Sequence, residues 1–505
     1  MRSKWDPFDD SRIRDDLKGR SLNGGLYTLT GQVASFLLNL VRIYVLARLL
    51  SPEDFGLIAM VMTIAAFLVV LKDAGLSMAT VQRDMISHKQ VSSLFWINAS
   101  VGTILGIALA ASAPLIASFY GEPRLQAVVY VLSLSFPISG VFIQHQALMK
   151  RHMMFGRLMF IKVTATIVSL LVAILGANQG YGYWALVYSQ LAQPVISLIL
   201  FWLLLPWIPG GPNKSSGVTQ MLKLGGSLSI DSFLKKAVEL YPDALIGRVF
   251  TATELGFYSK AKQLLLTPLR QATSPLNSVA IPAMSRLTND KKRYQSYFNS
   301  YWTLVRCIVL PVFCCAVVMY DWIIDIALGA NWNDAKVLFL LCSIGAIFNF
   351  GIWPVGNLLT TQGRSADIIK LSLIRLPVRI IPTTIGALYS VEMIVAMDAF
   401  AANIMVVFLI WIGGRSGPVN RNRLVIGYLV YTIHLLAAII LAGLGRIGVE
   451  SLNLPHYMQV GLVLCICIGA SLLVVSLFAD NRHLIKKLYL HLLEMLSSRR
   501  SSVVV

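Results

Sequence analysis

The chain has 505 residues, 56% of them hydrophobic and only 13% charged, and its mean hydropathy is +0.69. Soluble domains carry about 25% charged residues, so a water-soluble globular fold is excluded. The formal net charge of +19 has the sign of a nucleic-acid binder, but its placement along the chain belongs to membrane topology.

Residues 1–21 are polar and mixed in charge, with no apolar core and no small-residue cleavage site. No cleaved signal peptide is expected, and the first span directs insertion. The apolar runs that follow suit helices across a ~30 Å hydrocarbon core, not the short alternating segments of a barrel. Fourteen spans are expected, at 22–47, 55–80, 93–117, 124–147, 157–177, 182–205, 222–247, 255–283, 299–320, 334–359, 366–388, 391–412, 423–445 and 457–479. The fold class is therefore an all-α polytopic membrane protein. The Pro/Gly-rich stretch PWIPGGPNKSSG lies in a cytoplasmic linker, 206–221. It separates an N-lobe (22–205) from a C-lobe (222–412), and 423–479 adds two further helices. In the tail, 480–505, Leu484, Leu488, Leu492 and Leu496 repeat every four residues beside Lys486 and Lys487. That pattern predicts an interfacial amphipathic helix with a basic end, against the plainer reading of a disordered tail.

Lys and Arg set the orientation. With a cytoplasmic N-terminus, the cytoplasmic tails and loops hold 28 of the 43 and the outer loops hold 5, the rest lying within helices. This asymmetry predicts a multi-pass chain with both termini in the cytoplasm. It also accounts for the basic charge without nucleic acid. The six cysteines lie in apolar runs and read as small buried hydrophobes. No Cys/His spacing suits a metal, no G-x-x-x-x-G-K-[ST] loop is present, and no cofactor is expected.

The first span carries Thr28, Gln32, Ser35, Asn39 and Arg42 at alternating spacings of four and three, which places all five on one helix face. At an offset of 200, ARLLSPEDFGLIAM (47–60) meets GRVFTATELGFYSK (247–260). Arg48 aligns with Arg248, Ser51 with Thr251, Asp54 with Glu254 and Gly56 with Gly256. FYGEPR (119–124) has a weaker echo in ALGANW (327–332). Ser232, Lys235 and Glu239 stand 200 residues after Gln32, Ser35 and Asn39. The pattern predicts two six-helix lobes from a parallel internal repeat, related by an axis along the membrane normal, with a central cavity between them. The bland reading of SPEDFG is local: Ser51 caps the next helix, Pro52 suits its first turn, and Glu53 and Asp54 complement its positive end.

An ionisable group at membrane depth costs at least ~2.5–3.5 kcal/mol on insertion scales, so it is functional or paired. Gln32, Asn39, Arg42, Lys72, Lys235, Lys260 and Arg375 are the candidate substrate-binding residues. Their basic surplus favours an anion. Asp73, Glu239 and Asp398 are candidate proton or cation sites for coupling. The competing reading makes Lys72–Asp73 and Lys235–Glu239 internal ion pairs and lets residues near helix ends snorkel.

RLLSPEDFGLIAM, DAGLSMATVQR (73–83), SLFWINASVG (93–102), APLIASFYGEPRL (113–125) and LMKRHMMF (148–155) resemble one family. It is the polysaccharide transporter branch of the multidrug/oligosaccharidyl-lipid/polysaccharide exporter superfamily. LIGRVFTATELGFYSKAKQL (245–264) and IPAMSRLTND (281–290) resemble its second-half motifs, so the likeness covers about residues 22–380. The resemblance implies a Wzx-type flippase, not an enzyme. Its cargo would be undecaprenyl-diphosphate-linked oligosaccharide repeat units for exopolysaccharide or lipopolysaccharide. It further implies basic cavity residues that meet the diphosphate, coupling to ions or potential, and a polysaccharide polymerase and chain-length regulator as partners. A multidrug exporter of the same superfamily would favour acidic cavity residues. A membrane glycosyltransferase or polymerase would need a larger outer loop with carboxylates, and a scaffold would not explain a duplicated polar face.

Overall fold

The computed structural model describes residues 17–73, 77, 80–81, 86–212, 219–415, 417–452 and 454–477. The N-terminal tail through residue 16 and the expected amphipathic helix at 480–505 lie outside the described residues. Seventeen α-helices are described. The first eight are α1 (Leu17–Leu49), α2 (Pro52–Asp73), α3 (His88–Ala111), α4 (Ala113–Tyr120), α5 (Arg124–Ser133), α6 (Ser135–Arg151), α7 (Phe155–Asn178) and α8 (Tyr183–Leu204). Then come α9 (Thr219–Val249), α10 (Ala252–Arg286), α11 (Lys291–Val318), α12 (Tyr320–Ala327), α13 (Ala335–Thr361), α14 (Ser365–Gly386), α15 (Val391–Gly413), α16 (Arg421–Glu450) and α17 (His456–Leu477). No strand is present among the described residues.

Ten of these, taking α5 and α6 as one, are long and apolar enough to cross a membrane. The count is eleven if the bent α13 is one span. The protein is therefore a multi-pass membrane protein. The long helices α9, α10 and α14 are not among those ten because their sequences are too polar. One expected span is broken. The run expected at 93–117 divides between α3 and α4 at Ser112, whose hydroxyl donates to Leu109 O (2.8 Å) and which is followed by Pro114 in the first turn. The run at 124–147 stays one span, Arg124–Arg151, interrupted only by the single turn residue Leu134, three residues before Pro137, which cannot donate a helical hydrogen bond. In α13 the segments Ala335–Phe348 and Ile352–Thr361 meet at 47°, one turn before Pro354, as a proline clash with the preceding carbonyls requires.

The chain divides into two compact units, Met1–Lys260 with Asp325–Asn333, and Ala261–Ile324 with Asp334–Val505. Within the first, α7 packs on α1 and α8, and α9 packs on α2. Lipid offers no hydrophobic drive between helices, so small residues and close backbones must hold them. Gly102 and Gly140 show this between α3 and α6: a Cβ on either would lie 2.7 or 2.6 Å from a facing carbonyl oxygen. The first part of the expected linker is a packed strap. Trp207 is buried among Phe95, Leu148 and Phe201. Gly210 N–H donates to Ser92 Oγ (2.9 Å), and Trp96 Nε1 donates to Gly210 O (2.8 Å).

In the second unit, α11, α16 and α17 enclose an apolar cluster holding Cys314 and Cys467, both fully buried and unbridged. At its end Arg446 makes a bidentate pair with Asp321 (2.8 and 2.7 Å) and also holds Glu450 (2.7 Å). Burial works against ionisation of Asp321. The Arg446 guanidinium and nearby backbone N–H groups overcome it and hold the carboxyl below its usual value.

Candidate functional site

The polar stripe of α1 is real as a face. Its apolar residues Val33, Leu37, Val41 and Tyr44 are exposed, whereas Gln32, Ser35, Asn39 and Arg42 are half-buried. Two members are satisfied within the helix: Thr28 Oγ1 donates to Gly24 O and Ser35 Oγ to Gly31 O, each at 2.7 Å. Such back-bonding is how hydroxyls are tolerated at membrane depth. Gln32 and Asn39 make no side-chain hydrogen bond among the described residues.

Arg42 reaches across to α8, where its Nη2 donates to Ser189 Oγ (3.0 Å). Ser189 is fully buried. Among the described residues no carboxylate pairs with Arg42. A hydroxyl can orient a guanidinium but cannot neutralise it, so an uncompensated positive charge remains inside the first unit. Lys260 brings a second cation close by. Its ammonium stands 4.3 Å from the Phe55 ring centroid, a cation–π contact, and lies within electrostatic reach of Arg42. The structure thus brings together two of the sequence-predicted residues, contributed by α1 and α10. Two like charges held in a poorly polarisable surrounding form a site whose natural complement is an anion.

The same unit holds the turns that carry the two similar motifs. Ser51 N–H and Oγ donate to Asp54 Oδ2 (2.9 and 2.7 Å), and Asp54 N–H donates back to Ser51 Oγ (3.2 Å). At Thr251 and Glu254 the same three bonds measure 2.9, 2.8 and 3.2 Å. Both are capping boxes opening a helix. The helices they open touch backbone to backbone. A Cβ on Gly56 would lie 1.7 Å from Ala252 O, and one on Gly256 would lie 2.0 Å from Pro52 O. Only glycine permits that approach. Trp332 seals the contact. It is fully buried, donates Nε1–H to Ala47 O (2.9 Å), and lies 5.4 Å from Phe55 and 5.8 Å from Phe257, ring to ring. Arg48 donates to the carbonyls of Ile326 (2.9 Å) and Ala327 (3.4 Å). The SPED and GEPR motifs meet directly, since Arg124 bridges Glu53 (2.7 Å) and Glu122 (3.0 Å).

The other predicted residues are placed differently. Lys235 is exposed on α9, and Glu239 pairs with Lys236 at 3.3 Å, three residues away on the same helix. In the second unit Arg375 is half-buried on α14. One turn on, Arg379 holds Asp398 of α15 in a bidentate pair, so that carboxylate already has a cation. The side chains of Lys72, Asp73 and Ser232 lie outside the described residues. The same unit holds a polar network that the sequence did not reveal: Asn357 Nδ2 donates to Tyr301 OH (2.7 Å), which donates to Asn277 Oδ1. Sequence reasoning also missed Ser189, Phe55 and Trp332 as partners. Of these only Trp332 had a signal, its place at the end of the ALGANW echo.

A family profile described as polysaccharide biosynthesis protein matches residues 45–337. Among curated proteins, the lipopolysaccharide biosynthesis protein WzxC of Escherichia coli K12 is 24% identical over 355 residues, covering 69% of this chain and 71% of its own. The teichuronic acid biosynthesis protein TuaB of Bacillus subtilis 168 is 23% identical, covering 68% and 72%. In fold, the lipid II flippase MurJ in an inward closed conformation superposes with a TM-score of 0.70 at 15% identity, covering 92% of this chain and all of its own. An inward-facing multidrug resistance MATE family transporter of the MOP superfamily gives 0.55 at 10% identity, covering 79% and 94%. With the profile spanning more than half of its length, the chain belongs to the polysaccharide biosynthesis protein family.

Proposed function

We propose that this protein is a flippase that moves undecaprenyl-diphosphate-linked oligosaccharide repeat units from the cytoplasmic to the outer leaflet of a bacterial inner membrane. It works by alternating access around a basic cavity and performs no covalent chemistry. The observation that carries this reading is Arg42, a guanidinium at membrane depth that meets Ser189 and, among the described residues, no carboxylate, with the Lys260 ammonium within its electrostatic reach. A guanidinium so placed is costly unless an anion visits it. A diphosphate carries the right charge, and the fork of Arg42 suits its oxygens. Gln32 and Asn39, with amides unused among the described residues, are fit to meet sugar hydroxyls. A cationic drug would be repelled here, which weighs against the multidrug reading.

The helices too polar for lipid, α9, α10 and α14, are read as three further spans that face water-filled space. With the eleven above they make fourteen. The matching caps at Ser51 and Thr251 and the paired glycines favour a parallel repeat. In that reading residues 22–205 and 222–412 are its two lobes, joined by the 206–221 linker, with 423–479 appended. The Lys/Arg asymmetry places both termini in the cytoplasm, and a polymerase and chain-length regulator would act on the delivered units. Lys72, Lys235 and Arg375 remain proposed substrate-binding residues, and Asp73, Glu239 and Asp398 remain the proposed coupling carboxylates.

The test replaces Arg42 and Lys260 by Ala, singly and together, at matched membrane abundance. Polymer output and lipid-linked repeat units on the cytoplasmic side are then measured. Loss of output with accumulation of the lipid-linked unit is expected. Normal output from the double variant would refute the diphosphate role.

A further inference from the structure

A second basic site lies in the second unit, where α14 begins, α15 ends and α16 begins. Arg364 there is occupied. Its Nη2 and Nη1 donate to the terminal carbonyls of Ile412 (2.8 Å) and Gly413 (3.3 Å), and its Nε donates to Asp367 Oδ2 (2.8 Å). That arginine finishes α15 and neutralises the nearest carboxylate. Three cations are left. Lys370 is exposed, 4.0 Å from the already committed Asp367. Arg415 and Arg421 stand with their guanidinium carbons 5.8 and 5.9 Å from the centroid of the same ring, Trp411. Among the described residues neither arginine has a carboxylate partner.

A groove of about 300 Å³ runs between Lys370 and Arg415, walled on its apolar side by Leu373, Ile374 and Trp411, with Asp367, already held by Arg364, at its polar edge. Below it the exposed side chains of Leu373, Val407 and Phe400 continue an apolar lane along α14 and α15. The two halves make different demands. Two arginines with no carboxylate among the described residues, beside a lysine only loosely held by Asp367, call for a phosphate at this helix-end rim. A half-exposed tryptophan above an apolar lane marks the level where headgroup gives way to acyl chain. A free phosphate would leave the lane unused, and a neutral lipid would leave the cations unanswered.

We propose that this groove binds an anionic glycerophospholipid of the bilayer. Its phosphodiester lies among Lys370, Arg415 and Arg421, its glycerol lies against Trp411, and one acyl chain runs along Leu373 and Val407. The lipid ties α14, α15 and α16 together at one end of the second unit, away from Arg42 and Lys260 in sequence and in role.

The test uses the full-length protein purified in neutral detergent and titrated with phosphatidylglycerol or phosphatidylcholine, with retention read by native mass spectrometry. Phosphatidylglycerol is expected to be retained at least tenfold better. Each of Lys370→Gln, Arg415→Gln and Arg421→Gln should weaken it about fivefold, the usual worth of one cation at an anionic surface. The charge-conserving triple Lys370→Arg, Arg415→Lys, Arg421→Lys should keep the preference, which separates charge from folding. Phosphatidylglycerol brominated on its acyl chain should quench fluorescence in the wild type, and Trp411→Phe should abolish that component. Equal retention of the two lipids, or undiminished retention by the triple Gln variant, overturns the proposal. So does displacement by substoichiometric undecaprenyl diphosphate, which would give the groove to the transported lipid.

Discussion

Gly256→Val tests whether the backbone contact between α2 and α10 is a working clamp. The added Cβ would lie 2.0 Å from Pro52 O, against an ordinary contact of 3.4 Å or more, so the two helix starts must part by roughly 1.4 Å. Gly56→Ala is more severe, with only 1.7 Å to Ala252 O. Neither clash can be relieved by a rotamer, because both struck atoms are backbone. Overpacking of this kind costs ~1–3 kcal/mol, which shifts a two-state balance away from the clamped arrangement by ~5- to 150-fold. Ala47, 1% exposed beneath Trp332, is the reporter position. In a background without native thiols, Ala47→Cys would be labelled with a membrane-impermeant maleimide. The rate should rise at least fivefold in either glycine variant. The double variant should add little, since both changes break one contact and cannot be independent. Unchanged labelling together with unchanged polymer output in both single variants would refute the reasoning.

Three further outcomes follow from geometry. Trp332→Ala should cost ~3–5 kcal/mol, as for other fully buried large aromatics. Trp332→Phe should cost less, keeping the ring contacts and losing the bond to Ala47 O, worth ~1 kcal/mol; denaturant unfolding in detergent measures both. Asp398→Asn removes the carboxylate that Arg379 holds and should lower the yield of folded protein by fluorescence-detected size-exclusion chromatography, with Arg379→Gln on top restoring most of it; no recovery would favour a coupling role for Asp398. Asp321 has a depressed folded pKa, so its pairing with Arg446 stabilises above the unfolded carboxyl value of ~3.9 and is lost as pH falls through the lower folded value. Thermal midpoints should therefore drop between pH 5 and strong acid, and Asp321→Asn should flatten that dependence; an identical profile in the variant would count against it.

Much of the helical architecture was legible because the bilayer enforces long apolar runs, and the caps were legible because Ser-x-x-Asp and Thr-x-x-Glu are local signals. The turn residues Ser112 and Leu134 were not read, since continuous hydropathy conceals a one-residue interruption. Pairings across helices were also hidden. Arg42 to Ser189 spans 147 positions, and Trp332 to Ala47 spans 285. Which of many polar residues meet depends on helix rotation and crossing, to which composition is blind. Asp398 illustrates the cost: as a lone acid at membrane depth it reads as an ion site, and only the fold supplies Arg379. The Pro/Gly content of the linker signals a turn but carries no sign that Trp207 fastens it to the bundle.

The polarity of α9, α10 and α14 also bears on how the chain is made. A nascent segment partitions from the translocon into lipid according to its own hydropathy, and consecutive segments of 31 and 35 residues that are too polar to partition alone cannot follow that route singly. They emerge after the eight preceding helices, when α2 is already in place to receive α9. Their entry would be a docking event onto finished protein, so a substitution that weakens the receiving face of α2 would show itself first as failed biogenesis and turnover, before any transport is measured.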